Sequence, residues 1–210
     1  VVQCDAQLLY AMRAPTVTQV KELYDRLEKI AKGAAMMTET EVTIKQVAAY
    51  SNTIANDVIN ERYETYLDKF LPLDYTEEEM EYLRKFYALV PEASKKGVER
   101  TAIQTFGKTE KAKEMAALPI RNYLYREPVG TTGGKGSNDV GDVSWVCPTS
   151  IVRTACYAAG TTGHHWTLTA QGKSSVCHKG MLLAGKVLAA AAIDLIDEPE
   201  LLKAARAEFE

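Results

Sequence analysis

The amino-acid sequence predicts an α/β fold on three observations. A strand–helix–strand pattern fills residues 8–47. Three short apolar stretches, at 143–147, 151–157 and 166–170, follow a glycine-rich loop and are separated by turn residues. An Ala-rich helix at 181–196 has side chains small enough to pack closely on a sheet.

Residues 8–13 read as a strand that ends at Ala14-Pro15, because proline cannot donate to a ladder. Residues 18–32 read as an amphipathic helix with Val20, Leu23, Leu27 and Ile30 at helical spacing, Thr18 as N-cap and Gly33 as stop. Residues 41–47 alternate, with Val42, Ile44 and Val47 set against Thr43 and Lys45, as a half-buried strand does. Together these elements suggest an open-faced α/β sandwich. From residue 57 to about 89 the chain turns helical, rich in Tyr and Glu, and Thr76 followed by Glu77, Glu78 and Glu79 marks a helix start. Residues 56–118 are polar with scattered apolar positions and no repeat, and read as surface helices and a long connection. Residues 130–137 form the glycine-rich loop, and residues 198–210 a short charged helix.

The charge balance narrows the function. In 210 residues, 25 Lys and Arg meet 28 Asp and Glu, a net charge of −3, so no basic excess exists to neutralise nucleic-acid phosphates. The 46% hydrophobic content is that of a soluble globular protein. No apolar run reaches the about 18–20 residues of a membrane helix; the longest candidate is interrupted by Lys186 and Asp194. The start, Val1-Val2-Gln3-Cys4-Asp5, has neither the features of a signal peptide nor an initiator Met, so a fragment, a processed product or a split half is expected. Cys4, Cys147, Cys156 and Cys177 form no C-x-x-C pair and are too sparse for a disulfide scaffold, which points to reduced thiols in the cytoplasm.

All three histidines, His164, His165 and His178, cluster late in the chain, shortly after Asp139 and Asp142. Imidazole and carboxylate are the donors of a Zn²⁺ or Mn²⁺ site, and the alternative is hydrogen-bonded structural or solvated histidines. His178 is the best ligand candidate: it precedes the long helix, whose N-terminal field keeps the ring neutral. A surface capping role is its alternative, and Cys177 is a competing donor pointing to the opposite face. Of the adjacent pair His164 and His165, one could face a substrate cleft while the other is exposed. The glycine-rich loop fails as a phosphate loop, because Gly136 separates Lys135 from Ser137 and a turn rather than a helix follows.

Three strings carry a resemblance: Gly136-Ser-Asn-Asp-Val-Gly-Asp-Val-Ser-Trp145, the Gly163-His164 turn, and Ala170-Gln-Gly-Lys-Ser-Ser-Val-Cys-His-Lys-Gly-Met181. Tyr10-Ala-Met-Arg-Ala-Pro15 and Lys32-Gly-Ala-Ala-Met-Met-Thr38 agree with them. The chain resembles the C-terminal half of the aminobenzoyl-glutamate hydrolase-like group, within the two-metal aminoacylase and carboxypeptidase amidohydrolase family. The resemblance implies part of an open-faced α/β lid (dimerisation) domain at 1–56, a helical connection at 57–118, and the C-terminal part of an α/β two-metal hydrolase catalytic domain at 119–210. It implies hydrolysis of an amide bond to an amino acid, in aminobenzoyl-glutamate-like or dipeptide substrates, by metal-bound water with a glutamate as general base. The implied cofactor is a divalent metal, Zn or Mn, two ions in the complete protein. By position, His178 matches a metal ligand, Asp139 and Asp142 the acidic loop beside the metals, and Asn56 a contact to a substrate carboxylate. Arg13 is a second cationic candidate, with a surface role as its alternative.

Nothing in the chain matches the family's other metal ligands or its general-base glutamate. The chain is therefore expected to supply only the C-terminal portion of an enzyme and to be inactive alone. The expected partners are a small amide or dipeptide substrate and a second copy of the chain (a homodimer) or the missing N-terminal half, with no nucleic acid and no membrane. The alternative is a non-catalytic remnant that acts, if at all, through association.

Overall fold

The computed structural model describes residues 3–126 and 138–210, and among them it is all helical. The helices are α1 (Val17–Thr38), α2 (Asp57–Phe70), α3 (Glu77–Ala88), α4 (Glu92–Phe106), α5 (Glu110–Ala117), α6 (Val140–Val143), α7 (Trp166–Gln171), α8 (Ser175–Asp197) and α9 (Pro199–Phe209). The α/β expectation is thus corrected, both for the lid and for the catalytic portion: no strand occurs among the described residues. The chain divides into two compact units, Val1–Ile54 with Thr132–Cys147, and Ala55–Thr131 with Pro148–Glu210.

In the first unit, Thr16 caps α1 through a capping box. The Gln19 N–H donates to the Thr16 hydroxyl at 3.4 Å, and the Thr16 N–H donates to the Gln19 side chain at 3.2 Å. The cap therefore lies ahead of the expected Thr18. The helix also runs through Gly33, whose cost of about 1 kcal/mol is outweighed by the helix formers Ala34, Ala35, Met36 and Met37 that follow. It ends at Glu39, which takes the left-handed conformation (φ 53°) and returns its N–H to Ala35 and Met36. No residue of α1 is buried. Residues 8–13 and 41–47 do not pair. Leu8, Leu9, Tyr10, Val42, Ile44 and Val47 are all exposed. Alternation marks one apolar face, but a strand persists only with a neighbour that takes its backbone hydrogen bonds.

The second unit holds the core. Leu83, Ile120, Ala158 and Val176 are buried together, and Tyr75, Met80, Tyr82, Phe86, Tyr87 and Ala155 pack around them. Helix α2 packs on α8 and α9, and α4 on α5. One of the expected core strands is helical instead, 166–170 lying in α7, and another, 143–147, is the last residue of α6 and the turn after it. The stretch 151–157 has no regular structure, although Ala155 reaches the core. The misreading of α7 has a clear cause. Its buried positions are Thr167 and Gln171, a polar pair at helical spacing that apolar periodicity does not register. Gln171 is fully buried and fully bonded: its carbonyl accepts from the Ala158 N–H at 2.9 Å, and its amide donates to the Thr167 carbonyl at 2.9 Å and the Thr161 hydroxyl at 3.3 Å.

Asn56 is the joint of this unit. It is 3% exposed, caps α2 by accepting from the Ile59 N–H at 3.1 Å, and donates its amide to the Ala205 carbonyl at 2.8 Å. Its backbone N–H donates to Thr149 at 2.9 Å. No helix among the described residues is long and apolar enough to cross a membrane.

Replacing Asn56 removes a helix cap and the buried amide bond that ties the start of α2 to α9. Asn56→Ala is expected to destabilise the protein by about 2 kcal/mol. The urea unfolding midpoint measures this, and the exposed Glu61→Ala on α2 should leave it within about 0.5 kcal/mol.

Candidate functional site at the start of helix α8

Helix α8 begins one residue after Ser174, whose hydroxyl accepts the Cys177 N–H at 3.1 Å and donates to the Gln171 carbonyl at 2.7 Å. Cys177 and His178 therefore stand inside the first helical turn, about 100° apart around the helix axis, rather than in an extended stretch before it. His178 is exposed, and its ring makes no hydrogen bond among the described residues.

The next two residues fix this turn in place. Lys179 reaches across to α3, donating to the Glu79 carboxylate at 2.6 Å and to the Asp74 carbonyl at 2.8 Å, with its ammonium 5.3 Å from the Tyr75 ring centroid. Gly180 permits the approach of the helix to its neighbour: a Cβ there would stand 2.3 Å from the Ala155 carbonyl oxygen and 2.8 Å from the Cys156 sulfur. Only a residue without a side chain fits.

Glu79 is 8% exposed and closes the capping box of α3, accepting the Thr76 N–H at 2.8 Å. Burial by itself would raise its pKa. Hydrogen bonds from the Lys179 ammonium, the Ser175 hydroxyl and the Thr76 backbone, with the lysine's charge, outweigh burial and hold the carboxyl at about 2. Burial, aided by the Glu79 charge and by Cys156, pushes the neighbouring Tyr75 phenol up to about 12. Burial also raises the Cys156 thiol. This polar cluster was not anticipated. Its visible signals are the Thr76-x-x-Glu79 spacing of a capping box and the lysine inside the His-Lys-Gly-Met string.

The other sequence candidates lie as follows. His164, exposed, occupies a left-handed turn position (φ 55°). His165 is the N-cap of α7: its Nδ1 accepts from the Thr167 N–H at 3.4 Å, lies 2.8 Å from the Thr167 hydroxyl, and its ring stacks at a tilt on Trp166. Asn56 is the buried cap already described. In the first unit, Arg13 and Asp139 are exposed, and Asp142 accepts the Ser51 N–H at 2.9 Å. Hydrogen bonds from the Ser51 side chain and backbone lower the Asp142 pKa. Within each unit, no two of these candidates are hydrogen-bonded or ion-paired, apart from the backbone bond from Asp142 to Asp139. The glycine-rich loop at 130–137 lies outside the described residues.

The donor set decides the metal question for these residues. No three His, Cys, Asp or Glu side chains converge on one point among the described residues, and a catalytic zinc site takes three protein ligands. His178 is one exposed imidazole, so the described residues do not by themselves fit a metal centre.

The depressed Glu79 carboxyl makes stability fall with acid. The folded group titrates near 2 and the unfolded one near 4.5, so the unfolded chain takes up the proton first as pH falls. The contribution of the Lys179 pair is fully present above pH of about 4.5 and is lost between there and about 2. Circular dichroism during acid titration is expected to show Glu79→Gln less stable than wild type at neutral pH, with a shallower loss of stability across that window.

No family profile matches the chain, and no solved structure matches it. Among curated proteins it is similar to a subunit of p-aminobenzoyl-glutamate hydrolase from Escherichia coli (strain K12), with 35% identity over 214 aligned residues. The alignment takes in 100% of this chain and 44% of that protein. The chain thus spans less than half the length of the relative it matches, and is a partial match to that hydrolase subunit.

Proposed function

We propose that this chain is part of a hydrolase that cleaves an amide bond to an amino acid, with p-aminobenzoyl-glutamate or a dipeptide-like amide as substrate, and with Zn²⁺ or Mn²⁺ as cofactor. The observation that carries this reading is the identity of 35% sustained over the whole chain to a protein named as a hydrolase subunit. His178 supports it, as an exposed imidazole on a turn that a cap, a half-buried ion pair and a backbone contact hold in place. A ligand needs that rigidity, because small displacements cost metal affinity and rate.

On this reading His178 would be one ligand of a divalent metal, which when bound would supply Lewis-acid polarisation of the scissile carbonyl and an activated water. The chain's own part is narrower. The Ser174 cap and the Lys179–Glu79 pair hold the turn that carries His178, and protein beyond the described residues supplies the remaining ligands. That protein is another segment of the same polypeptide or a separate partner chain, as the word subunit in the relative's name suggests. A second reading, a non-catalytic component acting by association, is favoured by the lack of a three-ligand cluster among the described residues.

Complementation separates the two. The chain alone is expected to bind Zn²⁺ weakly by calorimetry and to leave p-aminobenzoyl-glutamate intact. Mixed with the portion of the Escherichia coli relative that it does not cover, it should release p-aminobenzoate. His178→Ala should lower kcat of that mixture by about 100-fold with little change in KM. Turnover of the mixture that is indifferent to His178→Ala removes the histidine from the metal site. No turnover of any amide in the mixture supports the association reading.

A further inference from the structure

Helix α8 is apolar on two opposite sides. Its inner side, Val176, Gly180, Leu183, Val187 and Ala191, is buried. At about 100° per residue these five fall within an arc of about 80°. Met181, Leu182, Leu188, Ile193 and Ile196 are exposed, by 45% to 78%. They fall within an arc of about 140° on the opposite side of the helix. Gly185, Ala189 and Ala192 are exposed too and lie near the middle of that arc, so its centre is low and its flanks are bulky. No Lys, Arg, Asp or Glu falls in it: Lys186 stands at its edge, and Lys179 and Asp194 stand outside it. A helix that is apolar all round belongs to the interior of a protein, and α8 is neither long nor apolar enough to cross a membrane. Contiguous exposed apolar surface of this kind marks an interaction site.

The placement of His178 says what covers this face. The histidine lies close to the midline of the arc, one end of a stripe that runs about 27 Å to Ile196. A second copy packed antiparallel in full register would set the imidazole against Ile196 and bury it without a polar partner. A different segment, apolar along its length and polar at one end, meets both demands. More than half of the Escherichia coli hydrolase subunit lies outside the part that this chain matches, so that relative carries polypeptide enough for such a layer.

We propose that the outer face of α8 docks the protein segment that supplies the remaining metal ligands, with apolar side chains along Met181 to Ile196 and carboxylate or imidazole groups opposite His178. The identity of the partner rests on the hydrolase reading of His178. The docking itself needs no metal, because apolar burial drives it. The low centre at Gly185, where a Cβ would meet nothing within 4 Å, lets the partner's backbone come close.

The test is run in EDTA, so that it reads association apart from turnover. The full chain is probed alone and within a chimera in which it replaces the matching part of the Escherichia coli relative. Hydroxyl radicals are expected to modify Met181 and Leu188 about 10-fold more slowly in the chimera. The chain is also mixed with the separately expressed remainder of the relative, which covers a chimera that folds poorly. Ala192→Glu sets a carboxylate in the face and should weaken that association about 100-fold by sedimentation. Because Ala192 is exposed, the urea midpoint of the chain alone should not move. His178→Ala should leave association in EDTA unchanged. Association that Ala192→Glu abolishes, without turnover of any amide when metal is restored, supports the docking face and rejects the hydrolase reading. Turnover with Met181 and Leu188 as reactive as in the chain alone overturns the docking face and leaves that reading standing. Dimerisation of the chain that Ala192→Glu abolishes assigns the face to a second copy and overturns the proposal, as does unprotected α8 in the chimera with no association in the mixture.

Discussion

The missing side chain at Gly180 is the constraint on which the second unit depends. A methyl group there would stand 2.3 Å from the Ala155 carbonyl oxygen, well inside van der Waals contact, so α8 could not lie where it does. With that approach allowed, the residues on either side acquire their partners. Lys179 meets Glu79 and Asp74, the Cys156 sulfur lies against Gly180, and the Gly180 carbonyl accepts the Thr154 hydroxyl. Val176, one turn earlier, joins Leu83, Ile120 and Ala158 in the core. His178 is left on the outside of a turn whose every other residue is anchored. An exposed imidazole on a rigid mount is a different chemical object from one on a loose loop, since it loses little entropy on taking a ligand.

Buried polar side chains serve as joints throughout. Asn56 and Gln171 carry no charge, yet each bonds backbone groups from two segments distant in sequence. Burying such an amide is tolerable only when its donors and acceptors are all used, and here they are. The first unit uses the same device, with no buried apolar side chain among its described residues. Asp142 takes the Ser51 N–H, the Ser144 hydroxyl takes the Ile54 N–H at 2.9 Å, and the Trp145 indole donates to the Asn52 carbonyl at 2.8 Å. Gly141, where a Cβ would fall 2.1 Å from the Ser51 carbonyl oxygen, lets the two strips approach. Polar joints of this kind fix register, but they contribute far less stability than apolar burial, and α1 buries nothing. Opening at low free energy is therefore expected to concentrate there.

The amino-acid sequence by itself determined what depends on neighbours along the chain. Helical spacing marked α1, the Thr76 start of α3, the long α8 and the charged α9, since caps and periodic apolar faces are local. The strings around Asp142 and His178 carried the resemblance that the similarity to a hydrolase subunit supports. Strands were the failure. Alternation at 41–47 and short apolar runs at 143–147 and 166–170 state which residues avoid water, not what pairs with them, and a strand is a property of two segments. That the side chains of His165 and Asn56 would accept backbone N–H groups at helix ends could not be read from the sequence. Only tertiary structure decided that Glu79 of α3 would meet Lys179 of α8, that the Cys156 sulfur would lie against Gly180, and that no three ligand side chains would converge among the described residues. The reason is physical: those partners are distant in sequence, and packing, not spacing, brings their atoms within bonding distance.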